Sequence, residues 1–492
     1  MKKQLIAVSV LLLSACGNSQ GNTFNVAEGG NKIIIAPALV DGRTEVKNFF
    51  GVHSLWWETQ TALADANGNL STASVQALKT SMVSSIRYGG AVNEIDWQNC
   101  IKPVANTLLL KPASWSAPQP CLFGPLEYAK SLDQLNLGVS WHIANVVGYE
   151  QQETDLGVLS KSAAAYASYV KGASPSRTRY WEIGNELERG RLQWAADKIA
   201  QRSEPVIQSI LQADPAAKIV VPLLEYKPDW ISSDLEHNRF LVNRFKGYTS
   251  EFAFHMYYDN PPEGPSIINR LTKLADNITM MKQNGVQYPG VWLTEHARWP
   301  QGNPSDNQWS SNWYQTADAN GVLSTADFLI GLSQMNGVRG AMWHGLRAGP
   351  WNFLNVNNGM VIPSNIAYLF KVFNLPDTNK ALTTVSTASY DGDHLGKYAI
   401  RASVFSILNQ SRAYRVWLIN RSPYQKPVAL SLRAVLPDGA VTLKKRELQI
   451  AQDGSTSSAL IKYSEEGGNI KSGNLSLLVQ PLSVMSFDIV MK

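Results

Sequence analysis

The chain has 492 residues, 44% of them hydrophobic and only 17% charged, so it can bury a large core and is too apolar to be disordered. The formal net charge of +5 drops by the two charges of Lys2 and Lys3 if a leader is removed. With no basic stripe interleaved with aromatics, nucleic acid is excluded as the expected partner.

The first residues, MKKQLIAVSVLLLSAC, combine a basic start, an apolar run from Leu5 to Leu13 and small residues before Cys16. This is the layout of a secretory signal, too short to span a bilayer as a finished helix. The end of the run, LSAC, resembles the bacterial lipobox, which implies cleavage before Cys16 and lipidation of its thiol. On the same resemblance, Gly17 in place of an Asp implies the outer membrane. Residues 1–15 are then a signal peptide and 16–31 a flexible tether. An ordinary cleaved signal with a chance cysteine is the alternative. With Cys16 assigned to lipid, Cys100 and Cys121 remain. In an oxidising compartment an isolated pair without further soft ligands suits a disulfide, with two free buried thiols as the alternative.

Residues 32–47 open with the apolar run NKIIIAPALV, which suits a strand added to a later sheet. From about residue 48 to 376, short apolar runs such as VSSIRYGG, GVSWHIAN, RYWEIGNE, EFAFHMYY and GVWLTEHA alternate with segments of helical spacing. Eight such alternations predict a parallel (β/α)8 barrel, closed by a helix in PSNIAYLFKVFN. From 377 to 492 the helical spacing stops and short alternating strands predict a β-sandwich.

Barrel enzymes carry their chemistry where strands end. Glu186 ends the fourth strand run and Glu295 the seventh, so both carboxylates face one mouth. Two carboxylates across a mouth suit glycoside hydrolysis, one as nucleophile and one as acid/base. The acid is expected to have a raised pKa, supplied by its negative partner and an apolar wall. Arg87 either serves this site or forms an interior ion pair with Glu182, two compatible roles. Trp56, Trp57, Trp141, Trp299, Trp309, Trp313, Trp343 and Trp351 fall at strand ends or loops where sugars could stack. Trp299 and Trp343 are the chosen candidates, although tryptophan is also a routine core anchor. His142 and His296 lack metal-ligand spacing with another histidine, so no metal is expected. No nucleophile elbow, Walker loop or dinucleotide fingerprint occurs in a strand-to-helix context, and no cofactor is expected.

WEIGNE, with Asn185 and Glu186, resembles the Asn-Glu signature of clan A glycoside hydrolases. That resemblance implies Glu186 as acid/base and Asn185 as a ligand of the sugar 2-hydroxyl. WLTEHARW is similar to the clan's nucleophile segment and implies that role for Glu295. FHMYY resembles its His-x-Tyr, which makes His255 and Tyr257 orienting residues for the two glutamates. SIRYGG is similar to its Arg-x-Pro-Gly-Gly without the proline, and implies that Arg87 holds the nucleophile ionised. Trp299 matches a tryptophan lining the sugar site in glycoside hydrolase family 51, the α-L-arabinofuranosidases, which also join a barrel to a β-sandwich. The chain departs from that family in three places. His53 or a displaced Glu58 stands for a glutamate after the first strand, Ala91 with Asn93 beyond it for an asparagine, and Trp343 and His344 for a glutamine at the eighth strand.

The sequence therefore predicts an exported, lipid-anchored retaining glycoside hydrolase with a carbohydrate substrate. Arabinofuranoside is the leading sugar. A clan A β-glycosidase or endo-glycanase is one alternative, and a surface glycan-binding lipoprotein on an inactive barrel is the other.

Overall fold

The computed structural model describes residues 31–39, 46–89, 96–102, 109–110, 119–149, 152–190, 192–225, 231–260, 264–386 and 400–492. The expected leader, Cys16, residues 16–30 of the expected tether, and Ala91 and Asn93 lie outside them.

Eight parallel strands close a barrel in sequence order. They are Gly51–Leu55, Ser85–Gly89, Val139–Ala144, Thr178–Ile183, Lys218–Pro222, Glu251–Tyr258, Gly290–Arg298 and Val338–His344. Every residue of the seventh strand is buried, as expected of a parallel strand with side chains on one face and helices on the other. Some of the intervening helices start at side-chain caps: Asp155 accepts from Gly157 and Val158 before helix Leu156–Ala173, and Ser266 accepts from Asn269 before Ile267–Gln283.

Strand periodicity of two stacks the barrel interior in layers. An apolar plug of Trp141, Tyr180, Val220, Ala253, Trp292 and Met342 fills the floor, with the Trp141 and Tyr180 rings stacked at 4.3 Å. Two residues further along their strands, Glu182, His255, Thr294 and His344 follow Tyr180, Ala253, Trp292 and Met342, and so face the same interior one layer higher. The polar site is built on an apolar floor.

The second domain is a nine-stranded sheet whose edge strands, Leu460–Ile470 and Asn474–Val479, are joined by a tight turn. The sheet rolls over on itself as a β-sandwich, and Val404, Leu418, Leu430, Val441 and Phe487 fill the space between its layers. Strand Asn31–Leu39 lies inside this sheet, antiparallel to Thr378–Ser386 and parallel to Lys426–Ser431. Edge strand Leu460–Ile470 is mostly exposed, with Lys462, Glu465 and Glu466 in place of an apolar alternation; charge is how an edge strand avoids unwanted pairing.

Helix Ala319–Ser333, buried almost throughout, packs between the barrel and the sandwich. Its single acid, Asp327, is answered by Arg421 at 3.1 Å and by Arg401, both from the sandwich. Arg421 also meets Asp259, at the end of the sixth strand, at 2.6 Å. Cys100 and Cys121 form a disulfide. Among the described residues, no helix is long and apolar enough to cross a membrane.

Candidate active site

The fourth strand delivers its carboxylate through a forced turn. Gly184 has φ +83° and Glu186 φ +46°, and a Cβ at Gly184 would come within 2.7 Å of Leu187. Glycine is therefore required at 184, and the turn leaves the Glu186 side chain 32% exposed at the mouth. The seventh strand uses another device. Its register slips where Phe254 pairs with Leu293 but His255 pairs with Glu295. In a regular strand, Thr294 and Glu295 would point to opposite faces. Here both face inward, Thr294 donating to Glu182 at 3.0 Å while Glu295 reaches the site.

Arg87 is the hub. Fully buried, it donates to Glu182 at 2.6 Å, to Glu295 Oε1 at 2.8 Å and to the Asn185 side-chain oxygen at 2.7 Å. Both roles considered for it, interior ion pair and partner of Glu295, are occupied at once. Glu295 Oε2 accepts from the Tyr257 hydroxyl at 2.9 Å. His53 Nδ1 lies 3.1 Å from Oε1 and His344 Nδ1 3.2 Å from Oε2, and these two ring nitrogens are 3.1 Å apart. Burial, then Arg87, pushes His53 down to about 3, and burial lowers His344, so both imidazoles are neutral. Burial alone would raise the Glu295 pKa, but the His255 cation, with a hydrogen bond from His53, outweighs it and holds the carboxyl well below its usual range.

Glu186 and Glu295 meet across His255. The closest oxygens of the two carboxylates and a ring nitrogen of His255 all lie within 4.8 Å of one another. His255 Nδ1 is 2.9 Å from Glu186 Oε1 and 3.5 Å from Glu295 Oε2, and Nε2 is 3.5 Å from Glu182 Oε1. Burial pushes His255 down, yet Glu295, Glu182 and Glu186 together raise it to about 10. Arg189 donates to Glu186 Oε1 at 3.2 Å and lies 3.3 Å from Glu188.

The raised pKa expected of Glu186 is not found. Burial does push it up, but Arg189 and the hydrogen bond from His255 prevail and hold it at about 2. In the unliganded site the proton rests on His255. Trp343 is also corrected. Adjacent residues alternate in direction, so with His344 facing Glu295 the Trp343 ring turns outward onto His296, fully buried, and offers no face to a sugar. Trp299 does stand beside the site, its ring 5.3 Å from Tyr257 and its indole N–H donating to the Gly302 carbonyl. Of the two substitutes for a glutamate after the first strand, His53 reaches Glu295, whereas Glu58 lies on helix Trp56–Ala62 against the backbone of Gly349. Sequence reasoning missed Arg189, whose signal was its place three residues after Glu186 in NELERG, and the part played by Trp351, packed between Tyr257 at 4.9 Å and His344 at 5.1 Å.

Among the described residues, two donor sets have the spacing of metal ligands, His53–Glu295–His344 and Glu186–His255–Glu295. The first is filled by Arg87, whose guanidinium lies 2.8 Å from Glu295 and 3.1 Å from the His53 ring; the second holds a protonated imidazole. A divalent cation would have to displace a fixed positive charge in either place.

By sequence, no family model and no curated protein matches the chain. Solved structures do. It is similar to a family 51 α-L-arabinofuranosidase from Thermotoga petrophila RKU-1 (TM-score 0.72, 15% identity, 93% of this chain and 99% of that one). It is also similar to a family 51 arabinofuranosidase from Xanthomonas axonopodis pv. citri (TM-score 0.73, 14% identity, 94% and 100%). A bifunctional glucanase-xylanase from a metagenome library aligns with a TM-score of 0.61 at 12% identity, over 95% of this chain and all of that one. The chain has the barrel-and-sandwich fold of the family 51 arabinofuranosidases.

Proposed function

We propose that the protein is a retaining glycoside hydrolase acting on an oligosaccharide or polysaccharide, with α-L-arabinofuranoside as the leading substrate. The observation that carries this reading is the pair Glu186 and Glu295, which share His255 and have an oxygen each within 4.8 Å of the other, an approach compatible with the roughly 5–5.5 Å carboxylate spacing of retaining enzymes. Glu295, ionised and braced by Arg87 and Tyr257, attacks the anomeric carbon. Glu186 gives its proton to the departing oxygen, then takes one from water, whose oxygen releases the sugar from Glu295. His255 holds that proton 2.9 Å from Glu186 before reaction and returns it as the sugar enters. Asn185, fixed by Arg87, faces the sugar 2-hydroxyl.

A second reading, a clan A β-glycosidase or endo-glycanase, is favoured by the His53–His344 pair on the nucleophile, which changes the donors a sugar ring would meet. A panel of aryl glycosides, including α-L-arabinofuranoside, β-xyloside, β-glucoside and β-galactoside, separates the two. Release from the arabinofuranoside, abolished in Glu295→Gln, supports the first reading; release from another sugar moves the specificity. Turnover that persists in Glu295→Gln would sink the catalytic assignment, and silence on every substrate would favour a glycan-binding protein. The sequence LSAC supports export and lipid attachment at Cys16. Metabolic labelling with palmitate, lost in Cys16→Ser, tests this.

A further inference from the structure

At the rim of the mouth, the loop after the seventh strand, the loop after the eighth and a loop of the sandwich come together. They enclose a hollow of about 220 Å³ lined by Trp313, Tyr314, Pro350, Asn352, Asn355 and Thr456. Tyr314 is shared with a wider, adjoining hollow of about 540 Å³ bordered by Asp318 and Asp453. The sandwich loop is fastened in place. The fully buried Asn365 side chain donates to the Ser455 carbonyl and accepts from the Ala459 N–H, while its own N–H donates to the Thr456 carbonyl. Gly454, with φ +81°, lies close enough to the Tyr314 ring that a Cβ would come within 3.3 Å of it, and Tyr314 is still 43% exposed.

Two features give this junction the chemistry of a sugar-binding surface. It presents the exposed Tyr314 ring among the Asn352 and Asn355 amides and the Thr456 hydroxyl. It is also continuous with the catalytic site through touching rings: Tyr257 to Trp351 at 4.9 Å, Trp351 to Trp309 at 6.4 Å, and Trp309 to Trp313 at 5.7 Å. Among the described residues, the charged groups lining the two hollows are Asp318, paired with Arg298 at 3.6 Å, and Asp453, so no cation there favours a uronate-rich chain. We propose that the barrel–sandwich junction is a distal subsite for a neutral polysaccharide, gripping by Tyr314 the chain whose glycosidic bond lies at Glu295. The proposal rests on the glycoside hydrolase reading of the site.

The test is native affinity electrophoresis of the Glu295→Gln protein in gels containing arabinoxylan, branched arabinan, mixed-linkage β-glucan or polygalacturonate. At least one neutral polymer should retard it, and polygalacturonate should not. Adding Tyr314→Ala should weaken the apparent affinity about 10-fold, the scale of one lost aromatic contact, while Tyr314→Phe keeps it. Thermal unfolding of each variant verifies that it is folded. No retardation by any neutral polymer, retardation indifferent to Tyr314→Ala, or equal retardation by polygalacturonate would overturn the subsite. Aryl-glycoside turnover by the wild-type protein reads the catalytic site separately: turnover without retardation overturns the subsite alone, and retardation without turnover overturns the hydrolase reading alone.

Discussion

Replacing His255 with glutamine removes the group that stores the catalytic proton. His255 is held at about 10 by the carboxylates around it and Glu186 at about 2, so at neutral pH the shared proton sits on the imidazole, 2.9 Å from the oxygen that must deliver it. The two groups titrate as a pair, and the pair keeps one proton until the pH passes about 10. The basic limb of kcat/KM, which reports the free enzyme, should fall there. In His255→Gln the proton can reside only on Glu186. Losing the histidine's hydrogen bond and cation raises the Glu186 pKa, but Arg189 at 3.2 Å remains, and an opposite charge so close lowers a carboxyl by about 1–3 pH units. The basic limb should therefore drop into the carboxylate range, below about pH 6. Each further pH unit costs a factor of ten, so at pH 8 the variant should lose roughly 100-fold or more in kcat/KM relative to its own value at pH 5 to 6. The loss should be seen with aryl glycosides whose leaving group needs a proton and should shrink with dinitrophenyl glycosides, which leave unaided. Glu182 keeps Arg87 and Thr294 as partners, so the barrel should still fold. A basic limb that stays above pH 8 in His255→Gln would refute the proton-storage reasoning.

Three other outcomes are expected. Glu186→Ala should lower turnover of substrates with poor leaving groups by roughly 10²–10⁴-fold, and added azide should restore turnover of activated ones as a glycosyl azide of retained configuration; an inverted product by NMR would contradict the double displacement. Arg87→Met leaves Glu182 and Glu295 without their buried cation and should cost about 3–5 kcal/mol, read as a lower urea midpoint at pH 7; an unchanged midpoint would show that Arg87 is not the structural hub. Replacing both Cys100 and Cys121 with serine opens a loop with a sequence separation of 21 and should cost about 3 kcal/mol, measured as a fall in Tm that reducing agent reproduces in the wild type; an equal Tm would remove the disulfide from the account of stability.

The barrel was legible because its strands read as apolar runs, and because the two glutamates stand three units apart, although Glu186 lies three residues past the fourth strand and Glu295 inside the seventh rather than at its end. What escaped the sequence depends on direction and neighbourhood. A bulge that turns both Thr294 and Glu295 inward leaves no mark on an apolar pattern. Trp343 and His344 are adjacent letters, yet the pleat sends one to the core and the other to the nucleophile. The low pKa of Glu186 comes from Arg189 and from a histidine brought in by the sixth strand, whose charge depends on three glutamates at once. Strand Leu460–Ile470 was hidden for the opposite reason, its charges concealing a regular backbone ladder with Gly439–Gln449.

The place of strand Asn31–Leu39 in the interior of the sandwich sheet ties the two ends of the polypeptide together in time as well as in space. During synthesis this strand is made first, but both of its neighbours come after the entire barrel. The barrel closes when its eighth strand pairs with its first, and the sheet must make a still more distant pairing, so the sheet should be the later of the two to form. A chain cut short after the barrel would carry a strand with two unpaired edges, an invitation to pair with another chain. Truncation after the barrel should thus give aggregates rather than a free catalytic barrel.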